Sequence, residues 1–268
     1  MAVACSTSAF TCQPLDDALR AIHELGFAHV DLLAIEGWAH VMPSDLVIDY
    51  EATVERVQNL LRRYALTPVA INASVGPLLH DRSAQACAVR DAQTRALVRF
   101  MTDLKIGVMT LGPRETDKSR PQEEVLRAAA ASLRDTLAIT GPAGITVALE
   151  CHINSVAETV AASLALLDSV PGLYVAYDPS HLVMQGVDLA ETLALMDHAG
   201  QVHLRDAGRN AMQKPYGQGE VDFDWLLDTL QQRGYRGPIS IEYLDMGGAA
   251  VEPDILAIYG RCLAHGLA

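Results

Sequence analysis

The chain has 268 residues, half of them hydrophobic, and a formal net charge of −13. That acidity disfavours a polyanion partner such as nucleic acid, which would call for a basic stripe. The five cysteines form no Cys-x-x-Cys pair, which argues against a disulfide framework or a thiolate zinc site, and no apolar run nears the ~20 residues of a membrane span.

The N-terminus shows no basic stretch followed by an apolar core, so no leader peptide is expected. The expectation is a cytoplasmic protein with no membrane association. In chain order, strand-like residues 3–9 precede a helical spacing over 15–25 that stops at Gly26. A strand over 29–35 and a helix over 50–64 follow, then a strand over 68–73 and a long helix over 83–104. The same alternation continues with strands over 108–112, 145–150, 173–178, 201–205 and 239–243. Their partner helices are predicted over 122–139, 156–167, 188–196, 222–232 and 253–264. Eight strand-then-helix units imply a parallel sheet closed into a single (β/α)8 TIM barrel over 1–268, an α/β fold with no linker dividing it. An open doubly wound sheet would call for a Gly-x-Gly-x-x-Gly turn after the first strand, and none is present.

Sites of such barrels lie at the C-terminal ends of the strands. Glu150 closes the strand over 145–150, where alternation turns Val147 and Leu149 toward the helices. Ala148, Glu150 and His152 then face the barrel axis. Asp178 has the inward parity on the next strand, His203 has it with Gln201 and Arg205, and Glu242 has it with Ser240. The intervals of 28, 25 and 39 residues each accommodate one strand–helix unit. Three carboxylates in one low-dielectric mouth require a cation. With one imidazole and several oxygens, Glu150, Asp178, His203 and Glu242 suit one divalent metal ion, Mn2+ favoured, with Mg2+, Co2+ and Zn2+ admissible.

Five stretches together resemble the xylose-isomerase-like sugar isomerase/epimerase superfamily of TIM barrels. They are Ala148-Leu149-Glu150, Tyr177-Asp178-Pro179-Ser180-His181, Val202-His203-Leu204-Arg205-Asp206, the run 217–223 and Ile239-Ser240-Ile241-Glu242-Tyr243. The resemblance implies that Glu150, Asp178, His203 and Glu242 hold the metal, that Glu150 and Glu242 also move protons, and that His181 touches substrate oxygens. The activity it implies is a divalent-metal-dependent isomerase or epimerase, acting on a keto-sugar or polyol-derived ketone through a metal-stabilised enediolate. A homo-oligomer is a further expectation. The alternative is a lyase or dehydratase on the same chemistry, cleaving a keto-polyol or a 3-keto-glycoside. A non-catalytic sugar-binding barrel and a DNA-repair endonuclease are further alternatives. The repair branch expects an Asp-x-His partner where this chain reads Gln213-Lys214-Pro215-Tyr216.

Around the metal set, His152 is either a support for the ligands or a substrate contact, and Arg205 either binds a substrate oxygen or neutralises the acidic mouth. Trp38 and His40, in the loop after the second strand, and Asn72, at the end of the third, are candidate pocket walls. The run 74–77 reads as a plain turn, and Gly247-Gly248 as a flexible turn in preference to a phosphate cradle.

Overall fold

The structure is a computed structural model describing residues 1–268 apart from Ala39, Met246, Gly248 and Ala249. Gly247-Gly248 therefore falls partly outside the described residues. The strands are β1 (Val3–Ser6), β2 (His29–Ile35), β3 (Thr67–Ser74), β4 (Val108–Leu111), β5 (Thr146–Glu150), β6 (Tyr174–Tyr177), β7 (Ala199–Leu204) and β8 (Ile239–Ile241). They pair in parallel in sequence order, and β8 closes on β1 with Val3 opposite Ile239. The helices are α1 (Leu15–Glu24), α2 (Pro43–Ile48), α3 (Tyr50–Arg63), α4 (Ala84–Leu104), α5 (Gln122–Thr140), α6 (Val160–Ser169), α7 (Pro179–Val183), α8 (Leu193–Met196), α9 (Phe223–Gln232) and α10 (Glu252–Ala264). None of the described helices is long and apolar enough to cross a membrane.

Two layers follow from strand alternation. Val147, Leu149, Val175, Tyr177, Val202, Leu204, Ile239 and Ile241 join the buried apolar cluster shared with the helices. Ala4, Leu33, Ala70, Ala148 and Ala176 are equally buried but lie outside that cluster. Small residues on this inner face leave room along the axis for Asp31, Gln201 and His203, each fully buried. The register slips between Val30 and Asp31 on β2 beside Pro68, whose nitrogen cannot donate to the ladder. It slips again opposite Gly200, where a Cβ would come 2.9 Å from the Tyr174 Cβ.

Several ends differ from expectation. The predicted first strand stops at Ser6, because the Ser6 hydroxyl accepts the Ser8 N–H and opens a short 3-10 turn over Thr7–Phe10. α6 starts only at Val160, where the Thr159 side chain caps it by accepting the Ala162 N–H at 3.1 Å. α2 and α7 were not anticipated. Each begins with proline as its first residue, where the missing N–H costs nothing and the fixed φ favours a helical turn. The predicted helix over 188–196 is a 3-10 turn over Leu189–Thr192 running into α8.

Candidate metal centre and active site

β5 ends on Glu150, and His203 lies inside β7. Asp178 and Glu242 come one residue past β6 and β8. All four are buried, with exposures of 0 to 6%. One potential ligand atom from each lies within 4.8 Å of the others. His203 Nδ1 is 3.0 Å from Glu242 Oε2 and 3.4 Å from Glu150 Oε1, yet it is aligned for a hydrogen bond with neither. Lone pairs that converge without pairing are what a cation requires, so the donor set fits a divalent ion.

Three of the four are held from behind. Asp178 Oδ1 accepts the Ser180 N–H at 2.8 Å and thereby caps α7. Its Oδ2 accepts from Arg205 Nη2 at 2.7 Å, and Arg205 also donates to Ser180 Oγ. Asn72 Nδ2 donates to Glu242 Oε1 at 2.8 Å. His203 Nε2 points to Thr110 Oγ1 at 3.5 Å and Asp31 Oδ2 at 3.8 Å. The Thr110 hydroxyl spends its proton on Gln201 Oε1, and Gln201 Nε2 donates to Asp31 Oδ2 at 2.8 Å and Ser240 Oγ at 2.9 Å. Thr110 and Asp31 therefore present acceptors to His203 Nε2, which keeps a proton there, so that Nδ1 is the nitrogen that loses its proton and turns a lone pair toward the glutamates when a cation is bound. Asp31 escaped the sequence reading. Its signal was available: a lone acid with inward parity inside the apolar run Val30-Asp31-Leu32-Leu33.

Burial dominates the electrostatics and is then overruled by neighbours. It opposes ionisation of Glu150, but the imidazoles of His203, His152 and His181 hold its carboxyl below the usual range. Burial likewise opposes the charge on Asp178, and Arg205 with His181 outweighs it. Burial disfavours a protonated His203, while Glu242 and Glu150 raise its pKa well above the ordinary value. His181 yields to burial and falls to about 4, so it is neutral at pH 7. Burial pushes Asp31 up to about 6.

A cavity of about 210 Å3 opens over this cluster. Glu150, Glu242, His152, His181, Arg205, Trp38 and Asn72 all line it. Its wall also includes Ser74, Pro113, Arg114, Met212 and Leu244, none of which the sequence singled out. Ser74 ends β3 and does not belong to a plain turn. Arg114 takes a left-handed backbone (φ 57°), invisible to periodicity. His40 does not belong with the pocket wall. Its Nε2 lies 3.1 Å from the Phe10 carbonyl oxygen and 3.0 Å from that of Gln13, which ties the loop after β2 to the loop after β1. A larger cavity of about 400 Å3, lined by Gly186, Arg209, Glu220 and Trp225, touches none of the four converging residues.

Asp206 shapes the rim. Its buried carboxylate accepts backbone N–H groups from Ala207, Gly217, Gly219 and Val221, and so folds the run 217–221 back over β7. At Gly219 a Cβ would stand 2.0 Å from Asp206 Oδ1 and 2.4 Å from the Ala207 carbonyl oxygen.

The fold and the cluster together define a parallel (β/α)8 barrel with four converging residues that could hold a metal ion at its C-terminal rim. A family model described as the xylose isomerase-like TIM barrel matches residues 19–258, and the chain belongs to that family. Among curated proteins it is similar to the L-ribulose-5-phosphate 3-epimerase UlaE of Escherichia coli, with 26% identity over 152 residues, 55% of this chain and 54% of the relative. The chain thus spans about half the length of the curated relatives it matches. The fold is that of the D-psicose 3-epimerase of Clostridium cellulolyticum H10 solved with D-tagatose (TM-score 0.79, 12% identity, 100% of both chains covered). It is also that of the probable 3-DHS dehydratase AsbF of Bacillus anthracis (TM-score 0.74, 18% identity, 98% of this chain and 99% of that one). A third similar structure is the IolI protein with a bound zinc atom (TM-score 0.74, 15% identity, 99% of this chain and 98% of that one).

Proposed function

We propose that the protein is a divalent-metal-dependent isomerase or epimerase that moves a proton on the carbon beside the carbonyl of a keto-sugar or polyol-derived ketone. The observation that carries this reading is the pair Glu150 and Glu242. Both are buried carboxylates, both line the same cavity, and they approach His203 Nδ1 from two different strands. A ketone between them meets a proton acceptor and a proton donor in one small space. The bound ion, Mn2+ in preference to Mg2+, Co2+ or Zn2+, supplies the Lewis acidity that makes such a carbon acid ionise near neutral pH. Glu150, Asp178, His203 and Glu242 hold it. Glu150, kept ionised by its neighbours, removes the proton. Glu242, with Oε1 tied to Asn72, uses Oε2 to return one. His152, His181 and Arg205 bind substrate oxygens, and Trp38 closes one wall of the cavity. At about 210 Å3 the cavity suits a monosaccharide-sized ligand better than a drug-sized one, for which pockets of roughly 300–1,000 Å3 are usual. The similarity to the 3-epimerase UlaE supports a sugar substrate.

The second reading is a lyase or dehydratase. His152, His181 and Arg205 share the cavity with Glu150 and would help a leaving oxygen depart, and the fold is shared with a dehydratase. One experiment separates the two readings. Metal-loaded protein is incubated in D2O with a panel of ketoses, inososes and 3-keto-glycosides. Deuterium uptake with otherwise unchanged composition identifies the isomerase or epimerase, and loss of water or an aglycone identifies the lyase. Glu150→Gln and Glu242→Gln should each lower turnover at least ~1,000-fold, in the upper half of the usual 10²–10⁴-fold worth of one acid–base group because a ligand is altered too. Normal turnover by both variants, folded by circular dichroism, would falsify the proton-shuttle assignment.

A further inference from the structure

Arg114 and Arg205 both line the substrate cavity, and they are placed differently. Arg205 is buried, and Asp178 balances its charge at 2.7 Å. Arg114 is exposed at the rim, on the loop after β4. Among the described residues no carboxylate pairs with it, and its one side-chain hydrogen bond is long, from Nη1 to the Gly76 carbonyl oxygen at 3.4 Å.

The loop that carries Arg114 is nonetheless fixed. The Gly112 N–H donates to the Ala73 carbonyl oxygen at 2.8 Å, and the Thr116 N–H donates to that of Asn154 at 2.8 Å. Lys118 Nζ donates to Asn154 Oδ1 at 2.9 Å. Gly76 is held in turn, its N–H donating to Gln93 Oε1 at 2.6 Å. Between these anchors Arg114 takes the left-handed backbone, φ 57°, which a residue with a Cβ adopts only where its surroundings impose it. A pinned loop thus presents a guanidinium at the cavity mouth without neutralising it. The setting is otherwise acidic, with a net charge of −13 and the carboxylates of Glu150, Asp178 and Glu242 gathered beneath the cavity. An unpaired cation there is a local attraction for negative charge, and its planar fork of donors matches the paired oxygens of a phosphate or a carboxylate.

We propose that Arg114 determines specificity by binding an oxyanion, phosphate or carboxylate, at the end of the substrate remote from the carbon that loses its proton. The proposal rests on the reading of this cavity as a keto-sugar site and narrows the substrate to an acidic one. Glu150 and Glu242 meet the reacting end, and Arg114 meets the other.

Binding tests it apart from turnover. Three 2-ketopentoses are titrated calorimetrically into the Mn2+-loaded full chain. One ends in a hydroxymethyl group, one in the phosphate ester of that group and one in a carboxylate. The expected result is that the phosphate or the carboxylate form binds at least about tenfold more tightly than the neutral form, the worth of one charge-assisted hydrogen bond. Whichever of the two gains identifies the source of the oxyanion. Arg114→Ala should abolish the gain while changing the affinity for the neutral ketose less than about twofold, and Arg114→Lys, which keeps the charge but not the fork, should restore part of it. Equal affinity for all three, no measurable binding of any, or a gain that survives Arg114→Ala overturns the proposal. Circular dichroism checks the fold, and Arg114→Gln repeats the test should the alanine variant not fold. The two readings fail differently. Oxyanion-dependent binding with neither deuterium exchange nor elimination leaves the anion site and removes the proposed reaction. Turnover of neutral and acidic ketoses at equal kcat/KM leaves the reaction and removes the anion site.

Discussion

Asp31 acts through His203 rather than on a substrate. Its carboxylate and the Thr110 oxygen hold the proton on His203 Nε2, and that leaves Nδ1 free on the side of Glu150 and Glu242. Asp31→Asn would let an amide N–H face Nε2 and favour the wrong tautomer. The expected result is a 10–100-fold weaker affinity for the divalent ion, roughly the usual effect of removing such a supporting partner, with the circular dichroism spectrum unchanged. Isothermal titration with Mn2+ measures it, and an affinity equal to that of the wild type would remove Asp31 from the site. At this scale strand alternation marks inward positions, and an acid or histidine at the last one stands out. Asp31 did not stand out because a carboxylate in mid-strand has no local explanation. Its reason is Gln201, 170 positions away. His40 shows the converse. A loop histidine near the mouth looks like a pocket wall until its two carbonyl partners, in a different loop, become visible.

Among the elements, the run 206–221 takes its shape from a single group. Asp206 gathers four backbone N–H groups, and Gly219 passes so close to it that a side chain has no room. Gly219→Ala should therefore displace this loop and cost on the order of 1–3 kcal/mol, the range for overpacking a well-filled site. The cost should appear as a lower urea midpoint with an unchanged slope. An unaltered midpoint would mean that the loop carries no such constraint. The glycine pattern is legible in the sequence, but it does not say that the glycines pack on a carboxylate eleven and thirteen residues upstream. The short helix α7 was missed for a related reason. Asp178-Pro179 reads as a stop after a strand, yet an acid at the N-cap and a proline in the first helical position also start a helix. Two readings of the same dipeptide are equally local, and only the position of Arg205 and Ser180 selects one.

For the whole molecule, occupancy of the proposed metal site and stability would be one equilibrium. An ion that binds only the folded chain should raise the melting temperature, by about 2.7 kcal/mol of added stability at 100 times the dissociation constant. The pH dependence has a definite sign. Glu150 and Asp178 are held in the ionised form and need lose no proton. His203, whose pKa is raised, keeps its proton in the metal-free fold at neutral pH. That proton stabilises the metal-free protein below the unfolded value near 6.5, and the contribution is lost as pH rises through the folded value. Metal uptake has to expel it, so affinity should rise about tenfold per pH unit while His203 remains protonated without metal. The difference in melting temperature between Mn2+-loaded and chelator-treated protein should therefore widen from pH 6 to pH 8. A difference that narrows over that range would contradict the assignment of His203.

The sequence by itself determined the alternation of strands and helices, the closure of eight units into a barrel, and which side chains of the strands bearing Glu150, Asp178, His203 and Glu242 face the axis. These follow from periods of 2 and 3.6 residues, which any short stretch displays without reference to the rest of the chain. Only the tertiary structure decided which inward residues meet. Asn72 reaches Glu242 and Asp31 reaches Gln201, each across 170 positions. Barrel closure brings such pairs together, and no local pattern encodes the distance between the ends of strands that are neighbours only in space.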